Sequence, residues 1–250
     1  MRRLKSKRDN SKNKIRRDKG INISKTRAQY PSTHSISKLC KELDIAYPSD
    51  NWWHADSKLE VILGTILTQN TSWRNVQYSI ENIKSKNAMN IETILKLKKS
   101  DILRMIKPSG FYKQKTNTII ALLNAIKTTY KNIEEMEDNN KENLRTFLLS
   151  IKGIGNETAD SILLYALNKN AFVIDAYTKR IISRIYNTNS KISYTELQSL
   201  IIASIPEDIN IYKKLHGQFV ELAKDSCKKK PICERCAMAK ICEYATTSNR

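Results

Sequence analysis

From residue 31 onward the apolar positions recur at intervals of three and four, the spacing of one face of an α-helix. Ile36, Leu39 and Leu43 mark a helix over 35–43, followed by a loop through Pro48 and Asn51. A stronger pattern, Leu59, Ile62, Leu63, Ile66 and Leu67, begins just after Ser57, with Glu60 three positions beyond it. A serine followed by an acid at that distance is the start signal of a helix. The polar turn Thr68-Gln69-Asn70-Thr71 ends it, and 73–83 forms the next helix. Shorter helices are predicted over 91–97 and 100–105, a turn at Pro108-Ser109-Gly110, and a long helix over 116–127. Further helices are expected over 144–150, 177–186, 194–204 and 212–223. Period-two alternation is scarce, and Phe172-Val173-Ile174 is too short for a sheet of its own. No internal repeat of fixed period is present. The predicted fold class is all-α.

Two places in this pattern carry chemistry. Leu144, Phe147, Leu148 and Ile151 lead at helical spacing into Lys152-Gly153-Ile154-Gly155, and Ala159, Ile162, Leu163, Ala166 and Leu167 lead out of it. Two glycines at such a corner let backbone N–H groups approach a ligand with no Cβ in the way. The next helix aims its unpaired N–H groups at the same place, which suits a phosphate. An ordinary corner between two helices would use glycines as well. Some twenty residues on, Val173-Ile174-Asp175-Ala176-Tyr177 places one carboxylate after an apolar run and before a helix. Asp175 can cap that helix, serve chemistry, or do both.

Charge and cysteines narrow the picture. The chain has 250 residues with 44 Lys and Arg against 25 Asp and Glu, a net charge of +19. Such a surplus expects a polyanion, nucleic acid first. Residues 1–30 hold twelve Lys or Arg and two acids with no apolar pattern, and read as a disordered basic tail. No apolar run reaches membrane-spanning length and no apolar leader is present, so no membrane is expected. Cys40 lies in the apolar pattern of the first helix and reads as a buried core thiol. The other four, Cys227, Cys233, Cys236 and Cys242, give the spacing C-x5-C-x2-C-x5-C. That set suits a soft metal centre in a reducing compartment, either tetrahedral zinc or a [4Fe–4S] cluster. Zinc ribbons present two close C-x2-C pairs and this set has one, which favours iron–sulfur. Lys228, Lys229 and Lys230 fall inside the first cysteine loop, where they suit DNA phosphates or simply keep the loop solvated.

The hairpin, the Val173-Ile174-Asp175 segment and the C-terminal cysteines, in that order, resemble the endonuclease III superfamily of helix-hairpin-helix DNA glycosylases. The resemblance spans roughly residues 35–245. It implies a two-lobed all-α fold with a C-terminal [4Fe–4S] cluster loop. Residues 58–159 would form a six-helix lobe ending in the hairpin, and 31–57 with 160–250 the cluster lobe. It implies double-stranded DNA containing a damaged base as partner, bound in the cleft by a monomer, inside the cell wherever DNA lies. The damaged base would be flipped out of the stack into that cleft. Gly153 and Gly155 would hold the backbone. Gln69 would fill the gap left by the flipped base, assisted by Asn70 and Thr71. Asp175 matches the catalytic aspartate, and the four cysteines the cluster ligands, although the first cysteine loop is one residue shorter than the usual six.

One departure decides the expected chemistry. In the bifunctional members a lysine two residues after the second glycine attacks the sugar and forms a Schiff base. Here that position is Glu157, and a carboxylate cannot form one. The chain is therefore expected to be a monofunctional glycosylase. Trp52-Trp53 and Gln69-Asn70-Thr71-Ser72-Trp73 resemble the 3-methyladenine glycosylase branch. By that resemblance Trp73 and one of Trp52 or Trp53 would sandwich an alkylated purine, with Glu157 adding a favourable charge. A cationic base between indoles gains roughly 0.5–2 kcal/mol. Ordinary core packing would also account for either Trp52 or Trp53. The rival readings are a glycosylase/lyase on oxidised pyrimidines, a mismatch adenine or thymine glycosylase, and a non-catalytic damage binder.

Overall fold

The computed structural model describes residues 31–48, 53–188 and 192–248. The basic tail and Trp52 lie outside the described residues. Among the described residues all regular structure is helical. One apolar cluster runs from Leu59 to Ala171, and Trp53, Phe147, Ile151 and Tyr165 pack against it. The helix Lys58–Leu67 lies at its centre and is apolar nearly all round, with eight of its residues buried. Ser57 caps it by accepting from the Glu60 N–H, while the Glu60 carboxylate accepts from the Asp56 N–H. The expected cap is therefore present, with the return bond displaced by one residue.

The helix Tyr112–Tyr130 starts four residues before its predicted first residue. The reason lies in the preceding backbone: Gly110 and Phe111 are both left-handed (φ 66° and 46°) and release the chain directly into the helix. This early start places Lys115 inside. Its ammonium donates to the carbonyls of Leu67 (2.8 Å) and Ser109 (2.7 Å). One buried lysine thus closes the open end of the Lys58–Leu67 helix. Burial lowers its pKa to about 8. One turn further on, Thr118 donates to the Lys152 carbonyl at 3.0 Å. The two contacts set the Gln69 turn and the glycine hairpin beside the same helix. The short helix Ile133–Glu137, which the sequence pattern did not mark, joins this helix to Lys141–Ser150.

After the hairpin, the helix Asn156–Ser161 passes into a π-helical turn, Ile162–Ala166. The chain then runs extended through 171–174, fully buried. Among the described residues no partner strand pairs with it. Its polar backbone is met by side chains instead: Gln198 donates to the Phe172 carbonyl (2.6 Å), and the Ile174 N–H donates to the Tyr194 hydroxyl (3.3 Å). Both side chains are held by the buried Asp160, which also takes Arg145 on two nitrogens (2.7 and 3.3 Å). The helices Ala176–Ile185, Tyr194–Ile202 and Ile209–Asp225 complete the larger elements. Cys40 is half-buried, not the core thiol expected, because the helix Thr33–Ala46 turns that position partly outward.

Candidate active site

Asp175 stands where the extended run ends and the helix Ala176–Ile185 begins. Its Oδ1 accepts both the N–H (2.7 Å) and the hydroxyl (2.8 Å) of Thr178, the cap foreseen in the sequence. Oδ2 takes no hydrogen bond from that helix. The His216 Nε2 approaches it at 3.8 Å. His216 comes from the helix Ile209–Asp225 and is buried; burial lowers its pKa, with Asp175 opposing. Its Nδ1 lies 2.7 Å from the hydroxyl of Tyr165, a residue of the π-helical turn. Burial, and then the charge of Asp175, push the Tyr165 phenol well above its ordinary range.

Glu157 sits in the first turn after the hairpin. It is exposed to solvent, yet the surrounding protein and the charge of Asp175 push its pKa up to about 7, with Lys179 opposing. Two carboxyl groups and one lysine thus share the site. A site of that kind holds one proton more readily than an isolated acid would.

The Trp53 and Trp73 rings meet edge to face, with centroids 5.3 Å apart and planes at 77°. Gly64 makes room for them, since a Cβ there would lie 3.1 Å from Trp53 and 3.9 Å from Trp73. An edge-to-face contact leaves no slot between parallel faces. To sandwich a base, one of these rings must turn. Trp53 also stacks obliquely on Tyr165, at 5.2 Å and 34°. A cavity of about 320 Å³ is lined by both tryptophans with Gly64, Glu60, Lys84 and Lys224, and its lining includes neither Asp175 nor Glu157. Trp53 is the wall shared by the cavity and the Tyr165–His216 pair.

At the hairpin, Gly153 has φ 97°, and a Cβ would fall 2.2 Å from the Thr118 hydroxyl, so only glycine fits. Around Gly155 the space is open, which leaves its backbone approachable. Gln69 donates to the Gly153 carbonyl (3.1 Å) and the Thr158 hydroxyl (2.9 Å), bound to the hairpin rather than extended into the cleft. Asn70 is exposed and left-handed (φ 53°), and the Thr71 hydroxyl accepts from Asn75. Phe111, whose carbonyl accepts from the N–H of Lys115, is 61% exposed.

The helix that starts at Asp175 ends against the cysteine loop. Arg180 donates to the Cys227 carbonyl, and Arg184 to the Cys227 sulfur (3.3 Å) and the carbonyls of Lys228 and Lys229. The side chains of Lys228, Lys229 and Lys230 point to solvent. Cys227, Cys233, Cys236 and Cys242 are not joined in disulfides. Burial raises Cys233 and Cys242, and both also feel the charges of Cys227 and Cys236. Among the described residues no three His, Cys, Asp or Glu converge closely enough to hold a single metal ion. Four cysteines within one short loop are, by their chemistry, donors suited to a soft metal centre.

Residues 63–207 match the family described as the HhH-GPD superfamily base excision DNA repair protein. The chain belongs to that family. It is a DNA N-glycosylase of base excision repair, and DNA is its substrate. A relative from Methanocaldococcus jannaschii, itself assigned as a DNA repair glycosylase by inference, is 42% identical over 83% of this chain and 95% of its own length. Among solved structures, the Helicobacter pylori 3-methyladenine DNA glycosylase MagIII bound to 1,N6-ethenoadenine superposes with a TM-score of 0.67 at 29% identity, covering 78% of this chain and 98% of that one. A trapped endonuclease III–DNA covalent intermediate shares the fold, with a TM-score of 0.75 at 16% identity over 88% and 100% of the two chains. Among the described residues no helix is long and apolar enough to cross a membrane.

The sequence pattern did not mark Tyr165, His216, Lys115 or Phe111. Tyr165 and His216 sit at helical positions that read as core. Phe111 carried a weak signal, a large apolar residue directly after a turn glycine.

Proposed function

We propose that this HhH-GPD enzyme is a monofunctional glycosylase that hydrolyses the bond between deoxyribose and an alkylated purine. The observation that carries the reading is Glu157, a carboxyl group facing Asp175 at the position where a bifunctional enzyme needs a lysine. A carboxylate cannot condense with C1′, so water must. As the C1′–N bond breaks, its electron pair leaves with the base, and the free Oδ2 of Asp175 faces the positive charge growing on the sugar. Water then adds at C1′ and gives its proton to the site. An alkylated purine is cationic and departs as a neutral base, so it needs little acid help. Trp53 and Trp73 supply the aromatic walls, and a half-ionised Glu157 favours a positive guest. The solved relative named as a 3-methyladenine glycosylase supports the substrate class.

In this reading Gly153, Gly155, Lys228, Lys229 and Lys230 hold phosphates. Gln69, with Asn70 and Thr71, leaves the hairpin to fill the emptied stack, and Phe111 enters beside it as an apolar wedge. The two sides of the cleft are 58–159 and 31–57 with 160–250. Cys227, Cys233, Cys236 and Cys242 hold a [4Fe–4S] cluster. When bound, it would pin a loop that otherwise has only two short 3-10 turns.

The test is a panel of duplexes carrying alkylated, oxidised or mismatched bases, scored for free base and for strand breaks with and without alkali. Release of an alkylated purine, with breaks only after alkali, is expected. Breaks without alkali, together with a borohydride-trapped complex, would overturn the reading.

A further inference from the structure

The two oxygens of Asp175 are treated differently. Oδ1 is saturated by Thr178. Oδ2, the oxygen left for chemistry, has the His216 ring 3.8 Å away. That is longer than a hydrogen bond and short enough to become one when substrate tightens the site. Which proton His216 carries is set by its neighbours. A lone pair on Nε2 would face a carboxylate, so Nε2 bears the hydrogen. With that tautomer Nδ1 is an acceptor 2.7 Å from the Tyr165 hydroxyl, whose one proton has the more distant Lys213 carbonyl (3.4 Å) as its other acceptor. Tyr165 fixes the tautomer of His216, and His216 presents an N–H to Asp175.

The other face of Tyr165 leads to the base pocket. Its ring lies against Trp53, and Trp53 meets Trp73 edge to face. A base cannot enter between those two rings unless one of them turns, and Trp53 rests on Tyr165. We infer that His216 is a positioning residue: through Trp53 and Tyr165 it links filling of the base pocket to the orientation of the reactive oxygen of Asp175. The inference rests on Asp175 being the catalytic carboxylate.

Two amides test it, since each keeps one half of the imidazole. His216→Gln places an N–H near the Nε2 position and gives up the Tyr165 contact. His216→Asn keeps a partner for Tyr165 and withdraws the donor from Asp175. Base release is measured under single turnover across pH, beside duplex affinity and melting temperature. His216→Asn is expected to slow release about 10–100-fold, the range seen when a partner that orients a reacting ligand is lost. Duplex affinity stays near wild type, and the acid-side fall in rate moves to higher pH. His216→Gln restores most of the rate. Tyr165→Phe gives a smaller loss that does not add to that of His216→Asn. The pH profile is read with every charged group facing Asp175 in view: Glu157 from the hairpin helix, Lys179 from its own helix, Tyr165 from the π-helical turn and His216 itself.

If the Gln and Asn variants lose rate equally, in step with melting temperature and with the pH profile unmoved, His216 only fills space and the inference fails. If both match wild type, it fails as well. Asp175→Asn is run in parallel. Retained release in that variant would remove the underlying assignment of Asp175, whereas a dead Asp175→Asn beside an unaffected His216→Asn would remove the His216 inference alone.

Discussion

Asp160 and Asp175 lie fifteen residues apart in the chain and are used in opposite ways. Asp160 is fully buried and accepts from Arg145, Tyr194 and Gln198, so each of its oxygens is engaged. Asp175 has one oxygen engaged, by its own helix, and one that the His216 ring approaches only to 3.8 Å. A saturated carboxylate is a fixed point of the structure. A half-satisfied one retains lone pairs that can answer a charge as it appears. The first also serves the second: Tyr194 and Gln198, oriented on Asp160, hold the extended segment that leads into Asp175.

The comparison can be broken at either end. Asp175→Asn is expected to cut base release by about 10²–10⁴-fold. Asn caps a helix as well as Asp does, so thermal melting should move little; a large drop in melting temperature would show Asp175 to be a structural cap. Asp160→Ala should do the reverse. It strands the partly buried Arg145 and costs about 3–5 kcal/mol in chemical denaturation, while base release by the surviving folded fraction falls far less than in Asp175→Asn, because Asp175 keeps its own cap on Thr178. Tyr194→Phe sharpens the contrast by removing one donor of several, at about 1.5–3 kcal/mol, read by the same denaturation curves.

Glu157 gives the smallest effect and the clearest sign. Its pKa rises on folding, from an ordinary 4.5 to about 7. The folded protein therefore keeps a proton that the unfolded chain gives up, and stability declines as pH climbs from about 4.5 through about 7. Glu157→Gln should remove that decline, matching wild type at pH 4 and exceeding it slightly at pH 8 in melting experiments. A wild-type curve that does not fall across this window would show Glu157 to be ionised throughout.

Much of this was legible in the sequence, for identifiable reasons. The Lys58–Leu67 helix has an unbroken apolar pattern and a serine start. Asp175 stands where a buried run meets an amphipathic helix, so its capping role could be read directly. The C-x5-C-x2-C-x5-C spacing is local and survives any fold. Tyr165 and His216 were not legible, because they are 51 residues apart and meet only when two helices pack. Each also satisfies the helical period as a core residue would. Asp160 was hidden for a related reason: it interrupts an apolar pattern, and nothing in sequence reveals that Arg145, Tyr194 and Gln198 converge on it. The edge-to-face tryptophans show a further gap, since spacing can place two rings together but cannot set the angle between them.

The π-helical turn at Ile162–Ala166 has a consequence for how the chain can change. Such a turn carries one residue more than an α-helix needs. Deleting a single residue there would let the backbone relax into ordinary α geometry and shift which residue of the turn stands at the Tyr165 position. Tyr165 would swing away from His216 although no catalytic residue had been touched. That one surplus amino acid makes this helix intolerant of a length change that a surface loop would absorb, and a lineage that lost it would have to rebuild the support of Trp53 and His216 from another side chain.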